Sequence, residues 1–529
     1  MRRLLCISLV VALSSALSST VFAQTVSDPV YAYIDRWEAR GYLEALYTLR
    51  PYSPEIIRGI LERVALVGSH VDAEVAQTFL RAYKLSSFSP GLIQRSDARI
   101  GDGQVAYRAE SGAFLDMRSG VLPGIWVQGR LDVLLIDGNT VVKPATERSS
   151  LDINSDGSMN FLPAGLSGDP MGLLYGLSTA TWFGDASLWG SASYARSSVG
   201  PFFKNGVVIG PQAHAAPNWT LSAAFGSWRF STALYQLTAS YGGAEKYMAY
   251  HSYSYAVFPG LDLGIFESAV WGGSFKPLYM VPLSMLFYLQ SLSSYGDNSL
   301  AGLYVSWRLF DGLLAKATVY LDDVGFSDLV AFDLDTKIIG AAQAGLSWAP
   351  EAGVLSLASL DYTAIFPYMY AHYWKNTGLK AEDDYTHYGD SFGAALQPNS
   401  ERWELRAKLY PIRELSLGGV IRLIRHGNAS EGITSGDGTW FDDGWEDWVP
   451  SYQEPFVTGT KPEYFRFLSQ DTIETIFQVG ATLGWNKDLG RTRLMLSIRY
   501  LLEAAWNKDL SPGKNKLYHY CGLEAAWSL

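Results

Sequence analysis

The chain has 529 residues and a formal charge of −11, with only two cysteines against 32 Tyr, 24 Phe, 17 Trp and 51 Gly. Such an acidic balance lacks the basic patches that nucleic acid requires, so no nucleic-acid partner is expected. Cys6 falls in the leader described next, which leaves Cys521 alone and excludes both an internal disulfide and a CxxC metal or redox site.

The opening MRRLLCISLVVALSSALSSTVFAQ has two arginines, an apolar run and a small-residue V-F-A ending. Residues 1–23 therefore read as a signal peptide cut after Ala23, and the protein as exported. Loss of Arg2 and Arg3 takes the charge to −13. Residues 24–90 read as a small helical bundle. In DPVYAYIDRWEARG, Asp28 is the N-cap, Pro29 the first helical residue and Gly41 the stop. Val30, Ile34 and Trp37 fall on one helical face. A second helix starts at Ser53-Pro54, and a third runs from about Val71 to Tyr83. A bundle this small is marginal alone and is expected to dock on something larger.

From about Gln104 the period changes to two. Val127, Gly129, Leu131 and Val133 alternate with Gln128, Arg130 and Asp132; Leu494, Leu496, Ile498 and Tyr500 alternate with Arg493, Ser497 and Arg499. Further strands are expected at Trp219–Phe225, Gly302–Leu309, Leu313–Leu321, Ala341–Trp348 and Trp403–Tyr410. Small and charged residues opposite an apolar face fit a polar lumen rather than a packed sandwich. At about 24 residues per strand and loop, residues 91–529 hold about 18 strands of an antiparallel transmembrane β-barrel. Trp485, Trp506 and Trp527 read as interfacial girdle residues on outward faces.

One strand, LDLGIFESAVWGG from Leu261 to Gly273, sets Glu267 among apolar residues. A carboxylate against lipid is costly. Glu267 is therefore expected to point into the lumen and pair with an arginine or a plug backbone N–H, with Phe266 and Val270 turned outward.

Motifs for catalysis are missing from the sequence: no HExxH, no GxSxG, and no phosphate-cradling glycine loop in a strand–helix setting. No cofactor and no catalytic residue is assigned. DINSDGS at Asp152–Ser158 opens like a calcium loop, but position twelve is Pro163 in place of the bidentate Glu, so it reads as a hydrophilic turn and no metal is assigned. SGDGTWFDDGWEDWVP interleaves Trp440, Trp445 and Trp448 with Asp442 and Asp443. Flat aromatic faces meet sugar C–H surfaces while carboxylates accept hydroxyl protons, which makes a glycan-binding loop; an acidic loop whose tryptophans dock at the membrane interface fits equally.

Several blocks, taken together and in order, resemble the Wzi-type capsule-assembly family of outer-membrane proteins. They are Glu267 with Gly272-Gly273, Pro282, Asp297-Asn298, the segment YTAIFPYMYAHYWKN with Tyr370 and His372, and the N-terminal DPVYAYIDRWEARGYL. The resemblance implies an outer-membrane barrel of about 18 strands, a periplasmic helical bundle, and loops closing the outer mouth. It also implies a lectin-like role, holding capsular or surface polysaccharide without catalysis. Glu267, Asp297, Asn298, Tyr370 and His372 join the tryptophan-rich loop as candidate ligand residues. Outer-membrane lipid and the barrel-assembly machinery are the other expected partners. The alternative is a channel or porin for small solutes or saccharides, suggested by the inward Arg130, Arg493 and Arg499.

Overall fold

The computed structural model describes the chain from residue 26 onward, except 27, 83–85, 139–170, 186, 239–244, 283, 294–296, 325–337, 368, 371–372, 375–377, 380–382, 388–389, 413, 428–466, 469–470 and 491. The expected leader, the calcium-like turn, His372 and the Trp440–Trp448 loop lie outside the described residues.

Three helices come first. Helix α1 is Val30–Ala39, α2 is Pro54–Val67 and α3 is His70–Ala82. The Val30 amide donates to Asp28 Oδ1 (2.9 Å) across Pro29, which has no N–H to satisfy. Ser53 Oγ accepts from the Ile56 amide (3.3 Å) and starts α2 in the same way. The chain leaves α1 at Gly41, whose φ of +79° strains any residue with a side chain. Val30, Ile34, Trp37, Ile57, Leu61 and Val64 form one buried core, and it continues into Trp126, Trp182 and Trp189 of the barrel wall. The bundle thus finishes its core on the barrel, as its size demands.

The barrel strands are β1 Ser86–Gly101, β2 Gln104–Leu122, β3 Ile125–Gly138, β4 Met171–Gly184, β5 Leu188–Ala195 and β6 Ala216–Phe225. Next come β7 Trp228–Thr238, β8 Glu245–Phe258, β9 Leu261–Gly272, β10 Asn298–Phe310, β11 Leu313–Val324 and β12 Ile338–Trp348. The last six are β13 Leu355–Ile365, β14 Ser400–Ile412, β15 Leu415–Gly427, β16 Ile473–Leu489, β17 Thr492–Trp506 and β18 Lys516–Ser528. Each pairs antiparallel with its sequence neighbours, and β1 pairs with β18 from Gly91↔Ser528 to Ile100↔His519. The result is a closed 18-stranded barrel, which leaves no open sheet edge. Its first strand begins at Ser86, a few residues before the boundary read from the sequence.

The two rims differ. At one, β6–β7, β8–β9 and β10–β11 turn over two residues each, as at Asp311-Gly312, where the Gly312 amide donates to Ala39 O of α1 (2.9 Å). At the other, long connections such as 196–215, 273–297 and 366–399 join the strands. The helical bundle sits at the short-turn rim: Arg36 Nη1 donates to Pro350 O (3.0 Å) and Ser356 O (2.7 Å) at the β12–β13 turn.

Alternation sorts the side chains. Leu131, Val133, Leu303, Phe477, Val479 and Ile498 are exposed on the outside, while Gln128, Glu110, Ser306, Gln478 and Glu503 are buried inside. An exterior this apolar belongs in hydrocarbon, and a closed barrel is one of two backbone arrangements that can stand there. Trp506 projects outward at the long-loop end of β17, and Trp485 and Trp527 share the outward parity of Leu483 and Leu523 near the other rim.

Candidate functional site: a lumen filled from both rims

From the short-turn rim, the segment after α1 climbs into the barrel. Arg229 Nε donates to Ala45 O (3.1 Å), and Thr48 Oγ1 lies 2.7 Å from Ser252 Oγ of β8. Leu49 and Arg50 then form a two-residue antiparallel ladder with Val199 and Ser198, which belong to the β5–β6 connection descending from the other rim. The Gly200 amide donates to Thr48 O (2.7 Å) and extends the contact. Arg50 is buried. Its guanidinium donates to Asp35 Oδ1 of α1 (2.9 Å) and lies 3.6 Å from the Phe203 ring centroid and 4.5 Å from that of Tyr31. Burial opposes both charges, but Arg50 and Lys204 outweigh it at Asp35 and hold its carboxyl well below the usual range.

The descending connections pack into one apolar core. Val207, Val208 and Ile209 meet Tyr370, Tyr385 and Phe392 of the β13–β14 connection. Tyr370 Oη donates to Val207 O (2.6 Å), Tyr385 Oη donates to Val208 O (2.7 Å), and the Gly210 amide donates to Phe392 O (3.1 Å). Tyr370 adopts φ +76°, unusual for a residue with a side chain, and its amide is held by Asp322 Oδ2 at 3.1 Å. Tyr370 therefore organises the plug from inside.

The facing wall, from β14 round to β3, is lined with paired charges. Arg422 Nε and Arg406 Nε each reach Glu404 at 2.5 Å, and Arg422 Nη1 donates to Gln478 Oε1 (3.0 Å). Gln478 Nε2 in turn donates to Glu503 Oε2 (2.7 Å). Further round, Arg499 meets Asp97 (2.9 Å), Arg95 meets Glu524 (3.0 Å), and Arg130 bridges Asp116 (3.0 Å) and Asp132 (2.9 Å). Asn205 ties this wall to the plug, donating to Glu404 Oε1 (2.8 Å) and accepting from Arg406 (2.9 Å). The side chains of Arg499 and Glu524 are 40% and 33% exposed, so part of the wall faces solvent. Such a surface can hydrogen-bond hydroxyl-rich or charged solutes. Of this network the sequence pattern singles out Arg130, Asp132 and Arg499. Its signature was there in the i, i+2 charge spacing of Arg108/Glu110, Arg130/Asp132 and Arg402/Glu404/Arg406.

Glu267 corrects the sequence reading. Ile265, exposed outside the barrel, shares its face, whereas Phe266 and Val270 belong to the lumen core. Glu267 therefore points outward. It is nonetheless buried, because the β9–β10 connection folds back over the outer wall and covers it. His251 is its partner across the ladder, with Nδ1 3.7 Å from Glu267 Oε1 and 2.9 Å from Ser284 O of the covering segment. Asp297 braces the same segment: it pairs with Lys276, accepts from Tyr279 Oη (2.8 Å), and its carbonyl accepts from Gln290 (2.5 Å). Asn298 is buried at the start of β10 on the lumen face beside Leu300. Glu267 and Asp297 thus come together around one segment outside the wall, and Tyr370 stands apart inside the lumen.

No family model and no curated protein matches the sequence. Among solved structures, the chain is similar to Wzi of Escherichia coli, an outer-membrane protein of group 1 capsule assembly described as a carbohydrate-binding β-barrel. The identity is 15%, the alignment covers 95% of this chain and 99% of that one, and the TM-score is 0.59. Looser likenesses reach Acinetobacter baumannii OccAB2 (10% identity, 84% and 98% covered, TM-score 0.44) and Pseudomonas aeruginosa OccK2, solved with glucuronate (11%, 84% and 96%, TM-score 0.43). The last two superpose too poorly to carry weight. The fold of this chain is that of the Wzi outer-membrane barrel.

Proposed function

We propose that this protein binds capsular or surface polysaccharide at the bacterial outer membrane and attaches or organises it there, with no catalytic step. The observation that carries this reading is the Leu49–Arg50 ladder with Ser198–Val199, where a strap from one rim and a loop from the other meet in mid-lumen. A barrel filled in this way suits holding a ligand at its mouth better than passing one through. The Wzi barrel, described as carbohydrate-binding, shares the fold and supports the same reading. In this reading the short-turn rim and its helices face the periplasm and the long connections face outward, the usual arrangement of such barrels. Polysaccharide is held by the outer connections. Trp440, Trp445 and Trp448 stack on sugar C–H faces, Asp442 and Asp443 accept hydroxyl protons, and His372 donates. Binding of the detergent-purified full chain to a glycan array tests this; loss of surface-retained polysaccharide on deletion tests it in the cell.

A second reading rests on the part-exposed charges of Arg499 and Glu524, which would suit a narrow path for small polar solutes along the β14–β3 wall. Planar-bilayer recording separates the two: stable conductance favours the channel, silence the binder.

A further inference from the structure

The β9–β10 connection lies on the outside of the barrel. On β8, Met248 and Tyr250 join the lumen core and Ser252 bonds the strap, so Tyr247, Ala249, His251 and Tyr253 face out. Against that outward face lie Tyr279 of the single turn Pro277–Met280 and Leu286 and Leu289 of helix α4, Leu286–Ser293. Tyr279 packs on Trp271 (4.8 Å between ring centroids) and Trp271 stacks on Tyr247 (5.6 Å). Lower down, Ser284 O accepts from Tyr253 Oη at 3.0 Å. Tyr253 stands eight residues below the rim residue Glu245; at about 3.3 Å per residue and a tilt of about 40°, the segment descends roughly 20 Å along the wall.

With one side committed to the wall, the other side carries large apolar residues: Phe275, Met280, Val281, Met285 and Tyr288 are 40–60% exposed. Directly below, on the same sector of wall, Leu263, Ile265 and Leu303 are exposed on the outer face. The apolar residues of the segment extend that belt, and Ser284 Oγ between them turns back to donate to Val281 O (2.6 Å).

We propose that residues 273–282 and 284–293 form an apron seated in the outer leaflet, and that its occupant is the acyl region of the surrounding lipid. The arrangement widens the barrel's lipid contact on one side and keeps Glu267 and His251 under protein, where hydrocarbon would otherwise meet them. Lys276 and Asp297, paired at the rim side of the apron, set its upper limit at the headgroup level.

The test places single cysteines at Met285 and at Met280 in the full chain carrying Cys521→Ser. Each is labelled with an environment-sensitive fluorophore and reconstituted into phosphatidylcholine vesicles with or without nitroxide-labelled acyl chains. Lys514→Cys, in the exposed β17–β18 turn, is the aqueous control, and heat-modifiable gel mobility confirms folding of each variant. The expected result is quenching of the Met285 and Met280 labels by nitroxide lipid and protection from aqueous iodide, with the reverse at position 514. Iodide quenching equal to the control overturns the proposal. So does protection from both quenchers, which marks a second copy or another protein as the occupant.

Discussion

His251 of β8 and Glu267 of β9 lie directly opposite each other on the outer face of the barrel, Nδ1 3.7 Å from Oε1, under a segment of the chain's own making. An ionised carboxylate bare at mid-membrane depth costs up to about 3 kcal/mol, and the cover spares the pair that cost. The cover depends on Asp297. Replacing it with Ala strands Lys276 and Tyr279 and is expected to cost about 2–3 kcal/mol. Limited proteolysis of the reconstituted variant should cut within 273–297 faster than in the parent protein, while the barrel keeps its heat-modifiable mobility.

The helical bundle has its own keystone in Asp72. It accepts from Arg36 Nε (2.8 Å), Trp37 Nε1 (3.0 Å) and Ser69 Oγ (2.8 Å), and Arg36 then reaches the β12–β13 turn. Asp72→Ala leaves a buried guanidinium without its counter-ion, and is expected to cost about 3–5 kcal/mol. Melting followed by protease sensitivity at α1–α3 should show the bundle lost well before the barrel.

Docking of the bundle should depend on pH through two opposed groups. Burial pushes the Asp28 carboxyl up to about 6, against the Val30 amide and the more distant Arg118 and Arg493. The unfolded chain releases that proton near pH 4, so between roughly pH 4 and 6 stability falls as pH rises. Asp35 is the reverse case: its pairing with Arg50 stabilises above about pH 4 and is lost as pH falls further, towards its depressed folded value. Asp28→Asn keeps the cap and removes the ionisation. It should flatten the pH 4–6 slope and gain about 1–3 kcal/mol at pH 7, read from protease protection across that range.

Arg50 joins the bundle, the strap and the plug. Arg50→Lys keeps the charge but loses the flat stacking on Phe203 and Tyr31, so it should weaken the strap only partly. Arg50→Ala leaves Asp35 poorly countered and should release the strap from the lumen. In planar bilayers the parent protein is expected to be silent, the Lys variant close to silent, and the Ala variant to open intermittently. Equal silence in all three means that the descending loops close the barrel without the strap.

Barrel and bundle were legible in the sequence because both are written in local periodicity. VQGRLDV alternates in the structure as it does on paper, and the Asp28-Pro29 and Ser53-Pro54 starts fall where capping chemistry puts them. What local pattern cannot carry is long-range cover. That lipid excludes a carboxylate makes Glu267 read as inward-facing. Nothing in LDLGIFESAVWGG itself reveals that the residues following it fold back over the same face. The family resemblance makes Tyr370 a candidate ligand residue; in the structure it stands buried at the heart of the plug. Its hydroxyl is committed to Val207 O, some 160 residues away in the chain.

Binding of purified surface polysaccharide from the producing cell to the full chain, immobilised in detergent micelles on a sensor surface, tests the central claim most directly. The account predicts saturable binding that falls at least tenfold when Trp440, Trp445 and Trp448 are replaced together by Ala, since each stacked aromatic contributes on the order of 1 kcal/mol. Absence of saturable binding to that polysaccharide, from protein whose barrel is intact by gel mobility, would contradict it.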